Sequence, residues 1–387
     1  MRMIACVITL LLVTGCAVGP DYSRLDLQMP TGFRMAVSDQ ETQSFANLPW
    51  WDLLQDEELR RLIRIALAEN KDLQRAVASV EEFQSRLLIS KMDFAPKADV
   101  TANAPSFGRK ANFLFPGFPN PFNYYLQGNL SWELDIWGRV RRSNEAARGD
   151  LLAREEARRA VVLQLVSGVA EAYFELLQFD MQLGVAQRTL KSWEESVRIA
   201  EARLRQGMIS RIDADQFEAE RANAAARAAE LTRQMVQKEN QLSILLGRPP
   251  GQVARGRSLT EQVLPPEVPA GLPSELLQRR PDLVQAEQEL AAATARIGVA
   301  KADRFPKLSI TGILGVASPQ FSRLIANETA FGVVGPGLAG PLLNAQILGF
   351  QQDAAEAQSR EVLARYEQAV LVAFREVEDA LVAVRTS

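Results

Sequence analysis

The sequence contains no histidine and only 2 cysteines among its 387 residues. It therefore lacks the side chain that most often acts as a general base or binds a metal. Lysine and arginine number 44 against 47 acidic residues, a net charge of −3, which excludes the broad positive field that nucleic-acid binding needs. Aromatic residues make up 7% of the chain, too few for base-stacking platforms. The composition argues against an enzyme, a resident cofactor or metal, and a nucleic-acid partner.

The N-terminus carries an apolar run from Ile4 to Val13. The run is too short to span a bilayer and fits the apolar region of a secretory signal. It ends in Val-Thr-Gly-Cys, which resembles a bacterial lipobox. We predict that residues 1–15 are a lipoprotein signal peptide, that Cys16 is lipidated, and that no other thiol remains for disulfides or metal. The alternative is an ordinary signal peptide with a chance cysteine. Because Ala17 rather than Asp follows, the lipobox pattern implies sorting to the outer membrane.

The hydrophobic period changes after the first helical segment. Residues 17–58 are polar and rich in proline, whereas 59–93 have one apolar helical face that Pro96 ends. Residues 98–104 and 126–134 then alternate apolar and polar side chains with period two. This pattern is typical of transmembrane β-barrel strands, although a half-buried soluble hairpin alternates in the same way.

Two long helices follow the strands. Residues 140–206 contain no proline, and a helix of that length measures roughly 100 Å. Such a length suits coiled coils or helical tunnels, and recurring charges argue against a membrane-spanning helix. Gly207 is a natural C-terminal cap, and Ser210 begins a second helix, to about Leu246, with a weak capping box to Asp213. Residues 247–273 are rich in proline and are predicted to be a linker.

The helix–hairpin–helix pattern repeats about 210 residues further along the chain. Residues 274–303 are predicted to be helical, and Pro306 corresponds to Pro96 at an offset of 210. Alternation near 308–314 predicts a third strand, 331–338 a fourth, and 346–384 a last helix. The domains we expect are a signal peptide, 1–15; a lead-in, 16–58; a first repeat, 59–246; a linker, 247–273; and an incomplete second repeat, 274–387.

Several motifs resemble the TolC-like outer-membrane efflux factors, in particular their lipidated NodT- or OprM-like branch. The residues that carry the resemblance run through the whole chain in family order: Cys16–Tyr22, Trp50–Trp51 with Asp56–Leu59, Ser131–Val140, Arg279–Leu283, Gly298–Ala302 and Phe305–Pro306. The resemblance implies an α+β membrane protein that forms a homotrimer. Each subunit would give four β-strands to a shared twelve-stranded trimeric β-barrel and long helices to a periplasmic coiled-coil tunnel. Four strands alone cannot close a barrel, which agrees with sharing between copies.

The turn between the two long helices is the candidate functional site. By resemblance, it would contact a periplasmic adaptor protein and the inner-membrane pump, of the resistance-nodulation-division type. The residues assigned to this contact are Gly207, Met208, Ile209, Ser210, Asp213 and Asp215. The two aspartates would place carboxylates at a tunnel mouth, or they would simply complement a helix N-terminus.

The expected function is the outer-membrane exit duct of a tripartite system that exports small molecules or drugs. The chain would be lipid-anchored in the outer membrane, with a periplasmic helical portion. Two alternatives remain: the outer component of a type I protein-secretion system, and a lipid-anchored periplasmic scaffold without a pore. Nothing in the second repeat corresponds to the 210–246 helix. We therefore expect a fragment or disrupted gene product with impaired trimer assembly.

Overall fold

A computed structural model describes residues 17–25, 55–104, 124–263, 277–326, 329–341, 343 and 345–386. Its long helices are α1 (Glu57–Glu69), α2 (Lys71–Met92), α3 (Arg139–Arg205), α4 (Arg211–Leu245), α5 (Pro281–Ala302) and α6 (Ala345–Thr386). Its strands are β1 (Lys97–Asn103), β2 (Tyr124–Leu134), β3 (Lys307–Ser318) and β4 (Ala330–Ala339). The elements agree closely with the expected order of helices and strands. The predicted lipidation site, Cys16, lies outside the described residues.

The first helical segment is two helices rather than the single one expected over 59–93. Asn70 ends α1 in an extended conformation, with ψ of 131°. Its side-chain oxygen then accepts a hydrogen bond of 2.9 Å from the backbone N–H of Leu73, and so begins α2. The apolar period continues across the break, so periodicity alone could not reveal it. An asparagine that caps one helix while ending another decides the local structure.

The helix expected over 274–303 is interrupted at residue 280. Residues 277–279 are helical, residue 280 is not, and Pro281 is the first residue of α5. A proline at the first helical position costs no hydrogen bond, and it disfavours the helical conformation for Arg280 before it.

The four strands form one antiparallel sheet in the order β1-β2-β3-β4. Each strand pairs with its neighbours without a bulge, so the register runs evenly from β1 to β4. The strands β1 and β4 are the two edges of this sheet.

The two predicted repeats share a local arrangement of helix, turn and strand. Helices α2 and α5 both contain 22 residues, and each leads through a short turn into a strand that begins with lysine. The two lysines pair with the aspartates four residues earlier, Lys97 with Asp93 at 2.7 Å and Lys307 with Asp303 at 3.0 Å. The same local contact therefore recurs at the same place in both copies of the unit.

The chain divides into two compact units, each assembled from separate stretches. The first unit contains residues 80–156 and 282–375, which include the four strands. The second unit contains residues 157–281 together with helix α1. In the first unit, α3 and α5 approach closely at Gly149, where an added Cβ would lie 3.0 Å from the Cβ of Ala292. In the second unit, buried side chains form a core: Leu59, Leu62, Ile63, Leu165, Val169, Tyr173, Leu176, Leu242 and others.

Helix α3 is more apolar than the sequence analysis expects. It contains an 18-residue stretch of mean hydropathy 1.5, long and apolar enough by composition alone to cross a membrane. A third of that stretch, 33%, is buried inside the structure. Helix α3 also supplies Val169, Tyr173 and Leu176 to the buried core, so packing within the chain covers part of its apolar surface.

Candidate functional site

The strand register assigns every side chain of the sheet to one of two faces. One row across the sheet contains Ala98 of β1, Leu130 of β2 and Gly312 of β3. The next row contains Asp99, Asn129 and Ile313. Because side chains alternate along a strand, this pairing extends over the whole sheet.

One face, which we call the apolar face, carries no charged side chain in the described strands. Its larger residues are Val100, Tyr124, Leu126, Leu130, Trp132, Leu134, Leu308, Ile310, Leu314, Val316, Val334 and Leu338. Several are strongly exposed within the chain, including Val100 and Leu314, both at 74%. A continuous exposed apolar surface on one side of a sheet is the pattern of a strand that faces lipid.

The opposite face, which we call the polar face, carries a chain of hydrogen bonds across β1 and β2. The amide nitrogen of Asn129 donates to the Asp99 carboxylate at 2.7 Å and contacts the Thr101 hydroxyl at 3.1 Å. The Gln127 amide nitrogen donates to the Asn129 oxygen at 2.9 Å. On β3 and β4 the same face is more apolar, with Ile313, Phe331 and Val333 as its larger side chains. The polar face can therefore line a water-filled space.

Aromatic side chains lie where the strands meet the helices. The indole N–H of Trp132 donates to the carbonyl of Phe94 at 2.9 Å. The indole N–H of Trp137 donates to the carbonyl of Pro306 at 2.8 Å, and its ring stacks on Phe305 with centroids 4.7 Å apart. Tryptophans with an apolar ring and a bonded N–H are typical of membrane–water interfaces.

Two acidic residues at this junction hold the beginning of α3. Glu133 forms a two-pronged ion pair with Arg139, with both distances 2.7 Å. Asp135 accepts hydrogen bonds from the backbone N–H groups of Val140 and Arg141 at 2.8 and 2.9 Å. Asp135 therefore caps the helix and lies beyond the polar face of the strand.

The segment Ala17–Leu25 is attached to the unit that contains the sheet. Arg142 is buried, 4% exposed, and bonds to the Asp21 carboxylate at 2.5 Å. An added Cβ on Gly19 would lie 2.4 Å from the Cα of Gly298, so only glycine permits this approach. The residues directly after the predicted lipidation site are thus held by buried and tightly packed contacts.

The turn after α3 has the expected geometry of a glycine cap. Gly207 has a φ of +69°, its N–H donates to the carbonyl of Leu204, and the N–H of Met208 donates to the carbonyl of Arg203. These two bonds define a Schellman motif, which satisfies the last carbonyl groups of the helix.

The next helix begins with a complete capping box. The backbone N–H of Asp213 donates to the Ser210 hydroxyl at 3.2 Å, and the Asp213 carboxylate accepts from the Ser210 backbone at 2.9 Å. Hydrogen bonds from the side chain and then the backbone of Ser210 hold the pKa of Asp213 below its usual value. Asp215 pairs with Arg211 at 3.1 Å. Asp213 thus caps the helix N-terminus, whereas Asp215 forms an exposed ion pair one turn further along the helix.

The assigned turn residues lie together on one hairpin, and some of its apolar side chains are open. Met208 is 69% exposed and Ile212, which the sequence analysis did not single out, is 72% exposed. Nothing lies within 4 Å of an added Cβ on Gly207. The hairpin therefore presents an accessible apolar surface flanked by an ion pair.

A buried carboxylate organises the second unit. Asp56, 3% exposed, accepts hydrogen bonds from the N–H of Leu59, the Tyr173 hydroxyl, the N–H of Arg257 and the Gln262 amide at 2.8–3.2 Å. Burial alone would raise the pKa of Asp56, but these hydrogen bonds outweigh burial and hold the pKa below its usual value. Burial raises the pKa of the Tyr173 hydroxyl to about 12. The arrangement is a structural latch between α1, α3 and the loop after α4.

Two important residues were not singled out from the sequence. Asp99 was visible only as one polar member of an alternating strand, and Asp56 only as part of a motif. Their partners, Asn129 and Tyr173, are distant in the sequence, so only folding brings them together. Among the described residues, no group of three or more cysteine or acidic side chains is arranged to hold a metal ion.

Comparison with known proteins agrees with these features. The family model for outer membrane efflux proteins matches residues 62–248 and 272–387. The toluene efflux pump outer membrane protein TtgC of Pseudomonas putida is 31% identical over 99% of this chain and 81% of its own length. The cation efflux system protein CusC of Escherichia coli is 33% identical over 96% of this chain and 81% of its own length.

A solved structure has the same fold. The open state of the MtrE outer membrane channel of Neisseria gonorrhoeae matches with a TM-score of 0.82 and 30% identity. The match covers 96% of this chain and 82% of MtrE. The long helices and the four-stranded sheet are therefore shared with an outer-membrane channel.

Proposed function

Because the chain belongs to the outer membrane efflux protein family and is an outer-membrane efflux channel protein, we propose that three copies form one closed barrel. The observation that carries this proposal is the sheet β1-β2-β3-β4, which has one apolar face and two open edges. Lipid cannot satisfy the backbone groups of an open edge, and four strands are too few to close a barrel. If β4 of each copy pairs with β1 of the next, three times four strands give a closed barrel of twelve.

The barrel would continue in the periplasm as a tunnel of long helices. Helices α3 and α4 expose apolar side chains such as Met181, Val185 and Val236, at 44%, 49% and 42%. In a trimer, neighbouring copies would cover such side chains and remove them from water. The function we propose is a passive duct through which small molecules leave the cell.

A lipid anchor would hold each copy in the outer membrane. Acyl chains on Cys16 would contribute about 0.8 kcal/mol of binding free energy for each CH₂ group buried in the bilayer. Two or three chains would therefore anchor the protein firmly. The tight contacts of Gly19 and Arg142 support this proposal, because they would connect the anchor rigidly to the unit that contains the sheet.

The hairpin between α3 and α4 would contact a periplasmic adaptor, which couples the duct to an inner-membrane pump of the resistance-nodulation-division type. Exposed Met208 and Ile212 supply the apolar contact, and the pair Arg211–Asp215 supplies complementary charge at its border. The remaining residues of the proposed contact are Gly207, Ile209, Ser210 and Asp213.

The substrate is proposed only as a small molecule. The toluene and cation efflux relatives are 31% and 33% identical to this chain, so similarity does not separate organic from inorganic cargo.

Conductance in planar lipid bilayers tests the duct. If three copies close the barrel, the purified full chain migrates as a heat-resistant trimer and gives discrete conductance steps, and such a trimer would contradict the impaired assembly expected from the sequence. A trimer that never conducts, even with adaptor bound, would instead indicate a scaffold without a pore.

Cross-linking in the native host tests the adaptor contact. We expect Met208→Ser with Ile212→Ser to reduce the cross-linked adaptor several-fold without changing the amount of trimer. Ile244→Ser is the matched control, because Ile244 is 63% exposed on α4 but lies outside the hairpin. An equal loss of adaptor in the control would contradict the assigned contact.

A further inference from the structure

The polar face of the sheet carries few charges, and their partners differ. The charged side chains of the four described strands are Lys97, Asp99, Glu133 and Lys307. The register places all of them on the polar face.

Three of these four charges have an oppositely charged neighbour. Lys97 and Lys307 pair with Asp93 and Asp303, and Glu133 pairs with Arg139. Each pair contributes little net field at a distance, because its charges cancel over a few ångströms.

Asp99 differs from the other three. The hydrogen bond to its carboxylate comes from the neutral amide of Asn129, and no cationic side chain among the described residues pairs with it. Its row across the sheet continues through Asn129 to Ile313 and residue 333, all of them uncharged. The Asp99 carboxylate is thus the unneutralised charge on the polar face of the described strands, beside a wall of low polarity.

We propose that Asp99 is a determinant of charge selectivity in the lumen of the barrel, where three copies place three carboxylates at one height. This inference rests on the proposed trimer, since the three-fold axis makes the heights equal. A ring of carboxylates in a water-filled pore attracts cations and repels anions, and an apolar wall strengthens the field by reducing screening. The expected consequence is a cation-preferring duct in which cationic solutes pass more readily than anionic ones of the same size.

The test is the ratio of potassium to chloride permeability of the trimer in planar bilayers at pH 7. We expect the wild type to prefer potassium and Asp99→Asn to lower the ratio by at least about twofold in 0.1 M KCl. The difference should shrink in 1 M KCl, because the screening length falls from about 10 Å to about 3 Å.

A charge swap separates electrostatics from structure. The variant Asp99→Asn with Asn129→Asp moves the carboxylate to the next strand within the same row and keeps an amide–carboxylate pair. We expect the swap to restore the potassium preference, while Thr101→Ser, a neutral change on the same face, leaves the ratio unchanged.

The outcomes distinguish this inference from the function on which it rests. A wild-type trimer that does not conduct overturns the proposed duct and this inference with it. Conducting channels whose permeability ratio is the same in wild type and Asp99→Asn overturn the role of Asp99 alone. A swap variant that conducts without preferring potassium would show that Asp99→Asn changes the permeability ratio through a structural change and not through its lost charge. That result likewise overturns the role of Asp99.

Discussion

At the scale of single residues, a few buried polar groups connect parts of the chain that are far apart in the sequence. Asp56 is the clearest example, since both of its carboxylate oxygens accept hydrogen bonds. One oxygen receives the N–H of Leu59, and the other receives three donors from α3 and the loop after α4. An acceptor-only group fits this position because every neighbour that reaches it is a donor.

We expect Asp56→Asn to destabilise the protein by about 2–3 kcal/mol. In one orientation the new amide would point its N–H₂ group at the three donors from α3 and the loop after α4. In the other orientation it would lose the hydrogen bond from the N–H of Leu59. The midpoint of thermal unfolding in detergent measures the effect. Asp72→Asn is the matched control, because the Asp72 side chain is 71% exposed and its ion pair is on the surface.

The same carboxylate predicts a dependence of stability on pH. Because the folded pKa of Asp56 is lowered, its stabilisation is complete above the unfolded value of about 3.9. It is lost as the pH falls through the lower folded value. We expect the difference in unfolding midpoint between wild type and Asp56→Asn to narrow below about pH 4. A difference that stays constant down to pH 2 would argue against an ionised Asp56.

At the scale of elements, the same glycine cap ends α3 and α4, with different surroundings. Gly207 and Gly247 have φ of +69° and +71°, and both are followed by the two hydrogen bonds of a Schellman motif. An added Cβ meets nothing within 4 Å at Gly207, but would lie 2.2 Å from the carbonyl oxygen of Glu69 at Gly247. Backbone conformation therefore requires glycine at both sites, and packing requires it again at Gly247.

We expect Gly207→Ala to cost about 1 kcal/mol and Gly247→Ala clearly more. The first change introduces only the strain of a left-handed alanine, whereas the second also pushes α1 away from the end of α4. Thermal unfolding of the two variants measured side by side checks the ranking. Equal losses would mean that the contact with Glu69 relaxes at no cost.

At the scale of the whole molecule, the membrane determines which face of the sheet tolerates charge. Leu314 and Ile313 are neighbours in the middle of β3 but lie on opposite faces. Leu314 would face lipid in the proposed barrel, and Ile313 would face water in the lumen.

We expect Leu314→Lys to reduce heat-resistant trimer in the outer membrane strongly, since lysine near the bilayer midplane costs about 2–4 kcal/mol per copy. Ile313→Lys should leave the amount of trimer nearly unchanged. Gel electrophoresis of unheated membranes compares the two variants. A greater loss with Ile313→Lys would reverse the assignment of the faces.

Local regularities were sufficient to predict most elements from the sequence. Alternation predicted the strands, and the offset of 210 between Pro96 and Pro306 predicted that the unit occurs twice. The break at Asn70 could not be predicted, because the apolar period runs through it and the cap depends on one side chain. The break at residue 280 was missed as well, because it depends on the proline that follows and leaves the apolar period unchanged.

The sequence by itself determined the lengths of α3, α4 and α6, the alternating faces of the strands and the family to which the chain belongs. These depend on spacing along the chain, where neighbouring residues carry the signal. Only the tertiary structure decided which strands pair, that Asp56 meets Tyr173, and that Lys97, Lys307 and Glu133 are neutralised while Asp99 bonds to a neutral amide. Such contacts join residues far apart in sequence or depend on side-chain geometry, and no periodic pattern encodes them.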